Sequence, residues 1–155
     1  MNKLILQDNK PTSENILKLI NLIRSIEHQN GLSDDEIVQK YTHSDCRCLV
    51  SMVQQIIPNT KSILFMVDEE FFHYFVCVPT QNIGSNQNFN AGNFYYFDIN
   101  GMKTYEEACA FVSTEFKGKN NIIALEANNI ILKNDITENF LNLVDCKFQE
   151  QELTI

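Results

Sequence analysis

The stretch SILFMVDEEFFHYFVCV, residues 62–78, decides the fold class. It contains two runs rich in aromatic and β-branched residues, Ser62–Val67 and Phe71–Val78, separated by the polar residues 68–70. Such runs favour β-strands, and the polar residues between them favour a turn. Because strand side chains alternate between two faces, the second strand shows one face made of Phe71, His73, Phe75 and Cys77. The stretch therefore predicts a β-hairpin that carries a histidine.

Upstream of this hairpin the apolar spacing is that of helices. Three helices are predicted, over residues 13–28, 33–40 and 46–57. Ser13 is a candidate cap for the first, and the second begins with the capping-box pattern Ser33–Glu36. The third helix has one apolar face by its i, i+3, i+4, i+7 spacing, formed by Cys46, Leu49, Val50, Val53 and Ile57.

Downstream of the hairpin, strands and helices follow one another. A polar loop over 80–92 leads to a predicted strand over 93–99, which the turn Asn100-Gly101 closes. A helix then runs from the capping box at 104–107 to Phe116. The last predicted elements are a hairpin of 121–126 and 130–133 around Asn128-Asn129 and a helix over 136–145. Helices that precede an antiparallel sheet indicate the α+β class. We expect helices on one side of an antiparallel sheet of four or five strands.

Composition limits the size, the partners and the compartment. A chain of 155 residues fits a single domain, with its core at 45–133, N-terminal helices at 13–40 and a C-terminal helix at 136–145. A formal charge of −8 without a Lys/Arg cluster disfavours nucleic acid and anionic membranes as partners. No apolar run approaches the roughly 18 residues of a membrane helix, and the start MNKLILQDNKP is too polar for a signal peptide. An odd number of cysteines, five, fits free thiols in a reducing compartment, so we expect a cytoplasmic protein.

Cys46, His73 and Asp98 have the chemistry of a cysteine-nucleophile site. Cys46 begins a predicted helix, where backbone N–H groups and the helix dipole favour the thiolate and can also receive an oxyanion. His73 and Asp98 lie on two predicted strands, where an imidazole and a carboxylate can act as base and orienting acid. An antiparallel register that places His73 opposite Asp98, Phe75 opposite Tyr96 and Cys77 opposite Phe94 would make the first two direct neighbours and bring Pro79 next to Gly92. We take these three side chains as candidate catalytic residues.

Each of these residues also has a simpler interpretation. A cysteine on an apolar helix face is usually a core residue, a histidine in an apolar strand is often structural, and Asp98 can cap the turn that follows it. A structural zinc site of His43, Cys46 and Cys48, completed by His73 or Cys77, is disfavoured because side chains two apart on a helix point about 200° apart. No metal and no cofactor is expected. Cys109 and Cys146 lie at apolar helix positions and are expected in the core.

The segments around these residues resemble a set of small bacterial and phage proteins, and through them the papain-like and transglutaminase-like cysteine enzymes. The resemblance covers about residues 45–110 and is carried by Asp45–Leu49, Val67–Glu70, His73–Val76, Tyr96–Gly101 and Thr104–Glu107. It implies a papain-like core with Cys46 as nucleophile, His73 as general base and Asp98 as orienting acid. Papain itself has an aromatic residue shortly after its cysteine, where this chain has Arg47 and Cys48.

Two functions follow as expectations. The first is a cysteine-dependent hydrolase or acyltransferase that acts on an amide, isopeptide or thioester bond of a protein or peptide. The second is a non-catalytic, acidic protein-binding module, such as a phage-encoded inhibitor of host defence or an immunity protein, with contacts through its acidic surface and the loop 80–92.

Overall fold

The computed structural model describes residues 4–6, 8–68, 71–79, 93–116, 121–127, 132 and 134–145. Within these residues the chain forms five helices and seven strands. The helices are α1 (Ser13–Gln29), α2 (Asp34–His43), α3 (Cys46–Ile56), α4 (Tyr105–Phe116) and α5 (Asp135–Asn142). The strands are β1 (Leu4–Ile5), β2 (Lys61–Val67), β3 (Phe71–Pro79), β4 (Phe94–Asp98), β5 (Gly101–Lys103), β6 (Ile122–Ala127) and β7 (Val144–Asp145).

Five of the strands form one antiparallel sheet in the order β5-β4-β3-β2-β6. The two shortest strands, β1 and β7, pair in parallel as a separate ribbon. Helices packed on a five-stranded antiparallel sheet confirm the predicted α+β class.

Both faces of the sheet are covered by helices, whereas helices on only one side were expected. One face packs through Phe65, Phe75 and Tyr96 against Ala108 and Val112 of α4. The opposite face packs against α1 and α3 through Val76, Val78, Phe97 and Ile99, and α2 and α5 extend the same core by packing on these two helices. The reason lies in β3 and β4, because both of their alternating rows are apolar and each row needs cover.

Helix α3 lies at the centre of the larger core. The five residues predicted to share its apolar face are all buried, and so are Cys48, Met52 and other residues around the helix. Burial extends around the helix because α1, α2 and α5 pack on it in addition to β3. This packing fixes the position of the helix start, where Cys46 lies.

A buried carboxylate joins the two helices that precede α3. Glu27 of α1 is buried and accepts hydrogen bonds from Lys40 and Tyr41 of α2 and from Asn30. Burial acts to raise the pKa of Glu27, but the hydrogen bonds and the charge of Lys40 outweigh it and hold that pKa below its ordinary value. The ionised carboxylate thus ties α2 to α1 just before the chain enters α3.

The predicted register of β3 and β4 is wrong by two residues. In the structure Cys77 pairs with Tyr96, Val76 with Phe97 and Pro79 with Phe94. This register places His73 two residues beyond the position level with Asp98 instead of directly opposite it. A shift of two residues keeps every side chain on its predicted face, because the side-chain period of a strand is two.

Several predicted boundaries also change. Helix α2 extends to His43, α5 ends at Asn142, and residues 144–145, predicted as helix, form β7 instead. β1 and β5 were not predicted, and β6 pairs with β2. The predicted loop 80–92, residues 69–70 of the predicted turn, most of 128–133 and Cys146 lie outside the described residues.

The turn between β4 and β5 carries the candidate acid and depends on a glycine. Asp98 pairs with Gly101 across the turn, and Gly101 has a φ of +100°. Arg24 of α1 donates to the backbone carbonyl of Ile99 at 2.8 Å, which anchors the turn to the first helix.

We expect Gly101→Ala to lower the free energy of unfolding by about 1–2 kcal/mol, because an L side chain is strained at this φ. A Cβ at Gly101 would meet only Leu17 at 3.9 Å, so backbone strain and not a clash is the cause. Urea denaturation measures the change. Gly101→Asn is the matched control and should lose less stability, since Asn tolerates positive φ. Equal stability of Gly101→Ala and the parent protein would contradict the prediction.

Candidate active site

Cys46 is the first residue of α3 and lies at the positive end of the helix dipole. The carbonyl of Asp45, the N-cap residue, accepts the N–H groups of Cys48 and Leu49, so the first two amides of the helix are not used in its own hydrogen-bond ladder. One of them, the N–H of Arg47, donates to the Cys46 sulfur. The cysteine is 8% exposed. Helix geometry therefore places the thiol among backbone donors.

The start of α3 meets β3 where the pairing of β3 with β4 ends. The pairs of these two strands run from Pro79 with Phe94 to Val76 with Phe97. Just beyond the last pair, the backbone N–H of Tyr74 donates to the Cys46 sulfur. The sulfur thus receives a strand N–H at the point where the neighbouring strand stops.

His73 lies in the same part of β3 and is fully buried. Its ring packs edge-on against Phe75 at 4.7 Å and lies 5.7 Å from the ring of Phe111 of α4, both measured between centroids. Its Nε2 lies 3.2 Å from Oδ2 of Asp98. Two aromatic rings and one carboxylate therefore set the orientation of the imidazole.

Asp98 is held by three groups through its two oxygens. Oδ2 faces His73, while Oδ1 accepts the backbone N–H of Asn100 at 2.9 Å and lies 3.5 Å from Nζ of Lys103. The lysine also lies over the ring of Phe111, 4.9 Å from its centroid. The turn and the short strand β5 thus fix the carboxylate and supply it with a cation.

The environment lowers the pKa of the Cys46 thiol. Burial acts to raise that pKa, but the hydrogen bond with His73, the positive charge of its ring and the backbone N–H groups of Tyr74 and Arg47 outweigh burial. Thiolate is the nucleophilic form of cysteine, so these contacts favour the reactive state.

The pKa of His73 moves in the opposite direction, to about 9. Burial acts to lower it, while hydrogen bonds and charges of Asp98 and Cys46 raise it. Burial also acts to raise the pKa of Asp98, yet His73, Lys103 and the N–H of Asn100 hold it below its ordinary value. The three groups together favour a thiolate, an imidazolium and a carboxylate at neutral pH.

The structure brings together all three residues that the sequence singles out, although by a different register. Sequence reasoning missed the contribution of Lys103, which lies on the unpredicted strand β5. It also missed Phe111, which looks like an ordinary core residue of α4, and the backbone N–H of Tyr74. The only sequence signal for Lys103 was its position two residues after the Asn100-Gly101 turn.

The other described cysteines have different surroundings. Burial raises the pKa of the Cys77 thiol to about 12, and burial also raises the pKa values of Cys48 and Cys109. The Cys48 sulfur accepts a hydrogen bond from the Asn134 side chain at 3.7 Å. The expectation that Cys109 lies in the core is met in part, since it is half-buried against the α4 face of the sheet.

The zinc alternative finds no support in the described part of the chain. No group of three or more His, Cys, Asp and Glu side chains among those residues is arranged to hold a metal ion. His43 instead contacts Glu115 of α4, with 3.2 Å between Nε2 and Oε2.

Comparisons with known proteins identify no relative: no family model, no curated protein and no solved structure matches the chain. Within the described residues, no helix has the length and apolar character to cross a membrane.

We expect iodoacetamide to alkylate Cys46 faster than Cys109 at pH 7, although Cys46 is the more buried thiol. The lowered pKa gives Cys46 a larger thiolate fraction than Cys109, whose raised pKa makes its rate fall about tenfold per pH unit as the pH decreases. Peptide mass spectrometry of a time course from pH 6 to 9 gives both rates in the same molecule. A Cys46 rate at or below that of Cys109 at pH 7 would contradict an activated thiol.

We expect Asp98→Asn to lower the pKa of His73 from about 9, because the change removes the carboxylate that stabilises the imidazolium. The ring signals of His73 in a ¹³C NMR titration from pH 6 to 10 report this pKa directly. Glu106→Gln, at an exposed carboxylate of α4, is the matched control and should leave the titration unchanged. An unchanged midpoint in Asp98→Asn would show that Asp98 does not hold the proton on His73.

Proposed function

We propose that this protein is a cysteine-dependent hydrolase or acyltransferase that acts on an amide, isopeptide or thioester bond through Cys46, His73 and Asp98. The observation that carries the proposal is the position of Cys46 at a helix start, where its thiol interacts electrostatically with His73, whose Nε2 lies 3.2 Å from Oδ2 of Asp98. The papain-like or transglutaminase-like assignment of the core is part of this proposal. It is supported by the chain order, in which a cysteine on a helix precedes a histidine and an aspartate on neighbouring strands.

Acylation begins with the Cys46 thiolate, which attacks the carbonyl carbon of the substrate and forms a C–S bond. The electron pair of the carbonyl moves to its oxygen, where the amides at the start of α3 that the helix ladder does not use can stabilise the negative charge. When the intermediate collapses, the bond to the leaving amine or thiol breaks and the His73 imidazolium gives its proton to that group. The products of this half-reaction are a thioester on Cys46 and a neutral imidazole.

Deacylation uses the same groups in reverse. The neutral His73 takes a proton from water or from an acceptor amine, which attacks the thioester carbon. The C–S bond breaks, and the thiolate and imidazolium are restored. Water as acceptor makes the enzyme a hydrolase, and an amine makes it an acyltransferase.

Asp98 acts on the ring rather than on the substrate. In the serine-protease template the acid bonds Nδ1 of the histidine and leaves Nε2 for the nucleophile. Here Asp98 contacts Nε2, so Nδ1 is the nitrogen assigned to proton transfer with Cys46. The carboxylate fixes this orientation and stabilises the imidazolium in the resting state.

A non-catalytic protein-binding module, such as a phage-encoded inhibitor of host defence or an immunity protein, is the second candidate. The net charge of −8 favours it because an acidic surface attracts a basic partner. The loop 80–92, which was expected to carry contacts, lies outside the described residues. This function needs no thiol, so Cys46→Ala would retain full binding and the two candidates are separable.

The proposal is tested with an excess of 4-nitrophenyl acetate under pre-steady-state conditions. We expect a burst of about one equivalent of 4-nitrophenolate and one acetyl group on Cys46 by mass spectrometry. The burst should vanish in Cys46→Ala and slow by about 10²–10⁴-fold in His73→Gln, because the thiolate loses its cation and proton carrier.

Cys109→Ala is the matched control and should keep the full burst, since it removes a half-buried thiol with a raised pKa. A burst that survives in Cys46→Ala would overturn the assignment of the nucleophile.

A further inference from the structure

Lys103 is a cation beside the three candidate residues, and its side chain is only 14% exposed. It is the last residue of β5 and pairs with Tyr96 of β4, two residues before Asp98. Side chains at such diagonal positions lie on the same face of a sheet, and a long side chain can reach across to the other. The register therefore directs Lys103 toward Asp98 on the face that α4 covers.

Two contacts hold the Lys103 ammonium in this position. Nζ lies 3.5 Å from Oδ1 of Asp98 and 4.9 Å from the centroid of the Phe111 ring. A lysine loses part of its hydration when it is buried to this extent, and here a carboxylate and the face of an aromatic ring replace that hydration. The position of Lys103 thus depends on the same carboxylate and the same ring that contact His73.

Asp98 is shared between two cations, one at each of its oxygens. Nε2 of His73 lies 3.2 Å from Oδ2, and Nζ of Lys103 lies 3.5 Å from Oδ1. The negative charge of a carboxylate is spread over both oxygens, and the two cations also repel each other across it. A cation at one oxygen therefore reduces the net attraction on the cation at the other. Lys103 weakens the hold of Asp98 on the proton of His73.

Cys46 and Glu107 are further titratable groups that face these two cations. The Cys46 thiolate stabilises the imidazolium from the start of α3. Glu107, in the first turn of α4, attracts Lys103, but it is exposed and its carboxylate accepts the backbone N–H of Thr104. Water and salt screen an exposed carboxylate, so Asp98 is the stronger partner of Lys103.

The proposed reaction requires His73 to release its proton once in every cycle. In the resting state Asp98 and the Cys46 thiolate both stabilise the imidazolium. When the thiolate has formed its bond to the substrate, Asp98 is the anion of this cluster that still retains the proton on the ring. A cation at the far oxygen of Asp98 makes the transfer to the leaving group easier at that step.

We propose that Lys103 is a positioning residue that shares the Asp98 carboxylate with His73 and thereby eases the release of the His73 proton to the leaving group. This inference rests on the proposed function and adds a fourth side chain to it. The proton moves from His73 to the departing amine or thiol as the bond to that group breaks, while Lys103 keeps its own proton. Lys103 acts through Asp98 rather than on the substrate.

The ring signals of His73 in a ¹³C NMR titration test the electrostatic part of the inference. Lys103→Met should move the His73 midpoint upward from about 9, because the cation that competes for Asp98 is lost. Lys103→Arg keeps the positive charge and should leave the midpoint near that of the parent protein. Lys61→Met is the matched control and should leave the midpoint unchanged, since it also removes a lysine paired with a carboxylate, but on β2 opposite Cys77.

The same titration shows whether Lys103 acts through Asp98. In the Asp98→Asn background there is no carboxylate to share, so Lys103→Met should move the His73 midpoint by less than it does in the parent protein. An equal shift in both backgrounds would contradict the sharing of Asp98.

Two aryl acetates test the catalytic part of the inference, with acetylation of Cys46 followed by mass spectrometry. 4-Nitrophenolate leaves readily as an anion, whereas phenolate is more basic and needs a proton to leave. We expect Lys103→Met to stay within about twofold of the parent rate with 4-nitrophenyl acetate and to slow acylation by phenyl acetate by about threefold or more. Lys103→Arg should restore the rate with phenyl acetate.

The possible failures are distinguishable. An unchanged His73 midpoint in Lys103→Met, or an equal effect of this change on both esters, overturns the inference and leaves the proposed function standing if the parent protein shows its burst. Loss of the 4-nitrophenyl acetate burst in Lys103→Met alone shows that Lys103 assembles the site, which also overturns the inference. A parent protein that reacts with 4-nitrophenyl acetate but not with phenyl acetate shows that His73 releases no proton, with the same consequence. No burst in the parent protein removes the proposed function and the role of Lys103 with it.

Discussion

The buried contact of His73 with Asp98 is the constraint on which the site depends. Each group alone would lose the hydration of its charge inside the protein, and its pKa would move toward the neutral form. The pKa values instead move toward the charged forms, because each group has a partner of opposite sign. Lys103 adds a second cation beside Asp98, and in the thiolate form of Cys46 the cluster contains two anions and two cations. In that form the cluster is neutral as a whole, so its burial is tolerated.

This electrostatic cluster forms only because the backbone brings side chains from four separate elements together. Its members come from the start of α3, from β3, from the end of β4 and from β5. Apolar packing on the sheet faces fixes α3, β3 and β4, and β5 is fixed by its pairing with β4. β4 stops pairing just before the position of His73, and the gap receives the first residue of α3. A longer β4 ladder would satisfy the strand N–H of Tyr74 and leave the sulfur without that donor. The early end of the β3–β4 pairing therefore leaves the N–H of Tyr74 available to the sulfur.

Local pattern was enough to predict the elements that carry the triad, and not enough to predict how they pair. The periodicity of α3 and the alternation of β3 identified the faces of Cys46 and His73 correctly. The register was wrong because a shift of two residues preserves every face, and a long connection over 80–92 does not select between such registers. β1, β5 and β7 have only two or three residues each, too few for a periodic signal. Contacts between distant segments, and not local propensity, define these strands, and Lys103 was missed for that reason.

The described cysteines show why exposure alone does not predict reactivity. Cys109 is more exposed than Cys46, yet burial raises its pKa, while the pKa of the more deeply buried Cys46 is lowered. The two thiols are both on helices, but only Cys46 lies at a helix start and contacts an imidazolium. A desolvated thiolate is costly in isolation, and the same desolvation strengthens its attraction to a nearby cation and to backbone N–H groups. Burial therefore suppresses ionisation where a thiol has no such partners and favours it where they are already in place.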